Sequence, residues 1–99
     1  MKSLLLSTDH DVVRGLRLAG FQSVFCKDRS ILLEKFTQGA KEKELGIIIL
    51  TEVDFKSIEK EVVDVQLHQK TPLVVMIPGP NGLQDKDFIM SYIKASIGM

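Results

Sequence analysis

Leu45-Gly46-Ile47-Ile48-Ile49-Leu50-Thr51-Glu52 is the stretch on which the fold turns. Its bulky residues stand side by side, with no polar position between them. A strand with one wet face would alternate. A short apolar run rich in β-branched residues, bounded by polar segments, is the pattern of a strand buried on both faces. Such a strand needs a neighbour at each edge and helices above and below it. The rest of the sequence is read by asking which segments supply them.

Upstream, Ser3-Leu4-Leu5-Leu6-Ser7 reads as a first strand. It ends at Thr8-Asp9, and Asp9 is placed to N-cap a helix from about His10 to Ala19. Val12, Leu16 and Ala19 share one face of that helix, with Val13 at its border. Gly20 stands where a left-handed C-cap is wanted. Gly15 costs about 1 kcal/mol inside a helix, yet with Ala19 it forms a small-residue notch. Leu18 points away from the apolar face, so it is half-exposed or covered from outside the domain. Phe21 to Cys26 reads as a second strand, polar enough for a sheet edge. Asp28 or Ser30 caps a second helix, whose Leu32, Leu33, Phe36 and Ala40 keep helical spacing. Gly39 and the run Lys41-Glu42-Lys43-Glu44 end it and lead into the central strand.

Downstream, a third helix is expected from about Val53 to Gln69, with Phe55, Ile58, Val62 and Val65 as its inner stripe. Lys70-Thr71-Pro72 breaks it. Leu73-Val74-Val75-Met76-Ile77 is a fourth, wholly apolar strand. Pro78-Gly79-Pro80-Asn81-Gly82 is either a stiff turn or a partner-docking loop. Asp85 or Asp87 then caps a last helix. Strand and helix thus alternate four times, which implies parallel strands joined by right-handed crossovers. The expected fold class is α/β, a flavodoxin-like (Rossmann-like) four-stranded parallel sheet of order 2-1-3-4 with helices on both faces. One domain over 1–99 divides into an α/β core over 1–77 and a carboxyl-terminal helix over 84–98.

Bulk composition narrows the function. Thirteen basic residues balance thirteen acidic ones, so no net field draws nucleic acid or anionic lipid. No apolar run approaches the 18 or so residues of a membrane span, and the run after Lys2 stops at Leu6, too short for a signal peptide. The single cysteine, Cys26, allows no internal disulfide and fits a reducing cytosol. In this fold class ligand sites lie at the carboxyl ends of the strands. Those ends carry Thr8-Asp9-His10-Asp11, Cys26-Lys27-Asp28, Thr51-Glu52 and Pro78-Gly79-Pro80. A phosphoryl-accepting receiver would use Asp9 and Asp11 as metal-binding acids, but strand 3 ends in Thr51-Glu52 rather than an aspartate. Asp9-His10-Asp11 is read as an N-cap followed by first-turn charges facing water, not as a metal site. His68 is a charge at a helix end, and Cys26 is an inert thiol at a strand end. No glycine-rich phosphate loop precedes a helix. The expectation is no catalytic, cofactor-binding or metal-binding residue.

Two features instead ask for a partner. Strand 4 is an edge in the expected order, yet it is apolar on both faces. The last helix carries Phe88, Ile89, Met90, Tyr92, Ile93, Ala95 and Ile97, which cover more of its circumference than packing on a sheet requires. Leu18, Val74, Met76, Ile89, Met90, Ile93 and Ile97 are therefore the candidate partner-binding residues.

Gly15-Leu16-Arg17-Leu18-Ala19-Gly20 resembles the G-F-R-L-A-G segment of the F subunit of the V-type and archaeal A-type rotary ATPases. Gly46-Ile47-Ile48-Ile49-Leu50-Thr51-Glu52 is similar to the G-I-I-L-I-T-E strand of that family. Pro72 to Gly82 resembles its proline-led strand followed by I-P-x-P and a glycine, and Ala95 to Gly98 its alanine-isoleucine-glycine ending. Leu16 replaces the usual Phe, Thr8-Asp9 stands for Gly-Asp, and Ser96 interrupts the ending. The resemblance implies a non-catalytic rotor component of an ATPase or ATP synthase, without a nucleotide site. Its implied partner is the coiled-coil D subunit of the central stalk, which couples ATP hydrolysis or synthesis in the A/B head to proton or sodium translocation. It further implies that the carboxyl-terminal helix moves and touches the A/B head. The expected location is cytoplasmic, peripheral on the membrane within the ATPase complex, with no contact to nucleic acid and no direct membrane insertion. A receiver-like signalling domain and a small-molecule-binding α/β module are the alternative classes.

Overall fold

A computed structural model describes residues 2–79 of the chain. The expected carboxyl-terminal helix over 84–98, its Asp85 or Asp87 cap and the end of the proline-rich loop lie outside the described residues. Strands β1 (Lys2–Ser7), β2 (Ser23–Phe25), β3 (Leu45–Thr51) and β4 (Leu73–Ile77) form one parallel sheet of order β2-β1-β3-β4. This is the flavodoxin-like order expected from the sequence. Helices α1 (His10–Leu18), α2 (Arg29–Ala40), α3 (Glu52–Ser57) and α4 (Glu59–His68) fill the crossovers.

β3 is inner, pairing with β1 along one edge and with β4 along the other. Successive side chains of a strand point to opposite faces. On one face Leu45, Ile48 and Leu50 join Leu6 and Val74 beneath Leu32 and Phe36 of α2, Phe55 of α3 and Val62 of α4. On the other face Ile49 and Leu5 pack on Val13 of α1, flanked by Val12, Leu16, Ile47 and Ile77. Val13, read from the sequence as a border residue, is the buried one, whereas Ala19 is exposed. Gly39 lies inside α2 rather than ending it. A Cβ there would stand 3.3 Å from both Ile48 Cδ1 and Leu45 Cδ2, so its smallness lets α2 sit down on β3.

Two elements depart from the sequence reading. The second strand starts at Ser23 instead of Phe21, because the end of α1 has already used the preceding amides. Gly20, at φ +97°, donates to Arg17 O, and Phe21 N–H reaches back to Leu16 O. These are the two bonds of a Schellman close, with Gly20 in the left-handed position expected of it. The third helix is broken in two at Ile58, whose φ of −124° and ψ of 27° are not helical. Ser57 Oγ donates to Asp54 O, and Arg29 Nε of α2 donates to Ser57 O at 2.8 Å. Side-chain groups thus compete for the carbonyls that would carry the helix through. The inner stripe survives the break: Phe55, Ile58 and Val62 are all buried.

The centre of β3 gives the sharpest test of this layout. Replacing Ile48, which has no exposed surface, by Asp puts a carboxylate into a dry interior. That costs several kcal/mol against a total stability of about 5–15. Ile48→Asp is expected to abolish the cooperative urea transition followed by circular dichroism; a variant retaining a wild-type midpoint would contradict the doubly covered strand.

Candidate functional site

The carboxyl ends of β1 and β3 meet at one buried carboxylate. Asp54, in the first turn of α3, is 3% exposed. Thr8 donates to it twice, from its backbone N–H to Oδ2 at 3.0 Å and from its hydroxyl to Oδ1 at 2.6 Å. The Thr51 hydroxyl donates to Oδ2 at 3.1 Å and accepts from Asp54 N–H at 3.3 Å, which N-caps α3. Charge-assisted bonds of this kind are roughly twice as strong as neutral ones, and they supply what a buried carboxylate requires. The group that would face a ligand in an α/β enzyme is therefore turned inward, and Thr8, one of its partners, lies 46 positions away in sequence.

Its neighbours are similarly engaged. Ser7, fully buried, accepts from Asp9 N–H through its hydroxyl at 3.0 Å. Asp9 Oδ1 accepts from Asp11 N–H at 2.8 Å and Val12 N–H at 3.2 Å, the N-cap expected of it. Asp28 caps α2 by accepting from Ile31 N–H, which decides between the two caps read from the sequence. The His10 ring stacks on Phe25, with centroids 3.6 Å apart. His68 lies at the end of α4 with Nδ1 2.8 Å from Asp64 O. Among the described residues no three His, Cys, Asp or Glu side chains gather as a set able to hold a metal ion.

Cys26 is buried beside this junction, its amide donating to Ser7 O. Burial pushes the thiol up from its ordinary value, and the Asp54 carboxylate adds to the shift. The Ser7 backbone and the Lys35 charge oppose it with smaller effect. A thiol held neutral in this way is a poor nucleophile.

The receiver reading meets a specific obstacle here. The aspartate nearest the end of β3 is Asp54, and both its carboxylate oxygens are committed to Thr8 and Thr51. Sequence reasoning missed Asp54, although the signal was present: Thr51-x-x-Asp54 has the spacing of a helix-capping pair. The sequence could not reveal that Thr8 completes the arrangement from another loop.

The candidate partner-binding residues fall into different environments. Leu18 is 86% exposed, on the outer side of α1. Val74 is buried in the core and Met76 is half-buried against it. Ile89, Met90, Ile93 and Ile97 lie outside the described residues. Among the described residues nothing stands within 4 Å of a Cβ built on Gly15, which borders a shallow hollow with Leu16, Ile77 and Gly79. Arg17, between these positions in sequence, covers the sheet edge: its guanidinium donates to Ser23 O at 2.7 Å. Gln22 O faces β1, where it accepts from Leu5 N–H, so the next carbonyl along the strand faces outward. Among the described residues no helix is long and apolar enough to cross a membrane.

Comparison with known proteins places these features in a family. The sequence model of the ATP synthase (F/14-kDa) subunit matches residues 5–93. A protein of Thermoplasma acidophilum, named as the F subunit of an A-type ATP synthase, is 33% identical over 92 residues, covering 92% of this chain and 86% of the relative. One of the same name from Thermoplasma volcanium is 28% identical over the same shares of each chain.

Two outcomes follow from the junction. Asp54→Ala leaves three donors without their acceptor and should lower stability by about 2–5 kcal/mol in urea titration; a loss below about 0.5 would mean that the carboxylate is not structural. For Cys26 the folded state favours the neutral thiol. Its contribution to stability is then complete below the unfolded thiol value and lost as pH rises through the higher folded value. The native protein should resist iodoacetamide at pH 8 and react once unfolded. Its urea midpoint should fall at alkaline pH by more than that of Cys26→Ala.

Proposed function

We propose a function from one premise: this chain belongs to the family of the ATP synthase (F/14-kDa) subunit. On that footing it is a non-catalytic component of the central stalk of an A-type or V-type ATPase or ATP synthase. It pairs with the coiled-coil D subunit and turns with it inside the A/B head. It thereby helps couple ATP hydrolysis or synthesis to the translocation of protons or sodium ions by the membrane ring. The observation that carries this reading is the family match over residues 5–93, nearly the whole chain. The physical support is the committed chemistry of the strand ends. Asp54 bonds to Thr8 and Thr51, Asp9 caps α1, and Cys26 is buried. A part that transmits rotation needs rigidity and docking surfaces rather than a reactive group.

The chain would work as a single domain of the F-subunit type, with an α/β core over 1–77 and a carboxyl-terminal helix over 84–98 that reaches towards the A/B head. Leu18 on α1 and the apolar residues Ile89, Met90, Ile93 and Ile97 are its proposed contacts to neighbouring subunits. It would be cytoplasmic and peripheral, held at the membrane through the complex.

The purified chain is expected to show no ATP hydrolysis and to co-elute at one to one with the D subunit of its own complex in size-exclusion chromatography. Separate elution at micromolar concentrations, or hydrolysis that scales with the purified chain, would overturn the reading.

A further inference from the structure

Helix α4 carries two apolar stripes, and only one of them is used by the core. Ile58, leading into the helix, and Val62 face inward and are fully buried. Val63 and Leu67, one turn apart on another side, are 39% and 76% exposed. They border an open groove of about 560 Å³ between α2 and α4, whose walls include Phe36 and Ala40. A trough between two helices with an apolar floor is the shape that receives a third helix.

The charges of the groove say more about its occupant. Glu61 stands in its wall. Oε1 reaches Arg29 only at 3.5 Å, and Oε2 is buried without a hydrogen-bond partner among the described residues. The Glu61 side chain is nevertheless 35% exposed, and Oε1, held only by that long contact, leaves it open to a charge-assisted bond from a lysine or arginine brought from outside. Asp64, one turn further along, is exposed and engaged at its surface by His68 at 3.3 Å. Lys41 and Lys60 line the same groove. A facing helix with a basic residue opposite Glu61 and acidic residues towards the two lysines would match this arrangement. Apolar positions flanked by charges of both signs are the pattern of a coiled-coil helix.

We propose that the α2–α4 groove seats one helix of the partner coiled coil. Apolar side chains one turn apart rest on Val63 and Leu67, and a lysine or arginine reaches Glu61. This places the coiled coil on the face of the sheet opposite α1 and leaves Leu18 to other subunits. The inference rests on the reading that the chain pairs with a coiled coil, and adds where and by what chemistry.

Full-length chain is titrated calorimetrically with the purified coiled-coil subunit of its complex. Leu67→Glu and Glu61→Lys are each expected to weaken Kd at least tenfold, while Leu18→Glu changes it less than twofold. Leu67→Glu should keep the wild-type unfolding midpoint, since the side chain is mostly in water. A photo-crosslinker at Thr37, exposed on the α2 wall of the groove, should capture the coiled coil whether or not either variant folds. Wild-type Kd for both groove variants, or no capture at Thr37 alongside capture at Leu18, overturns the placement but leaves the stalk function standing. Failure of the wild-type chain to bind overturns both. A homodimer in sedimentation that Leu67→Glu dissolves would assign the groove to a second copy and also overturn the placement.

Discussion

The architecture depends on one constraint: β3 must be dry on both faces. Bulky residues at consecutive positions leave no wet side, so each half of the alternation needs its own cover. α1 lies over Ile49, and α2, α3 and α4 lie over Ile48 and Leu50. The backbone cannot be left unpaired in such a place, and β1 and β4 take its two edges. The strand order, the crossovers and the glycine at position 39 all answer this requirement. Gly39 is the point where the covering helix comes closest to the strand.

The Asp54 junction then joins the two layers at their carboxyl ends. It ties the β1–α1 loop to the start of α3 through Thr8 and Thr51. In an enzyme of this fold class the same rim is left open, with polar groups aimed at a substrate. Here the chain's own carboxylate takes those donors. The carboxylate thereby holds this rim of the scaffold together.

What the sequence made legible was mostly local. Asp9, Asp28 and Gly20 could be placed because caps are set by neighbours a few residues away. The sheet order followed from the run at β3 and the spacing of helices around it. What stayed hidden came from contacts distant in sequence. The break at Ile58 depends on Arg29 reaching Ser57 O, 28 residues away. The late start of β2 depends on where the bonds of α1 close. Val74 looked available as the residue of an apolar edge strand, but the helices above it bury it. Edge position and exposure are separate properties, and the sequence pattern reports them as one.

The Arg17 contact bears on how copies of the chain meet one another. A parallel sheet ends in unpaired backbone, and β2 offers such an edge over only three residues. Ser23 O, the carbonyl that Arg17 covers, is no longer available to an incoming strand. A second chain approaching along β2 would find too few acceptors to extend the sheet. Copies of the chain are thereby hindered from joining along that edge.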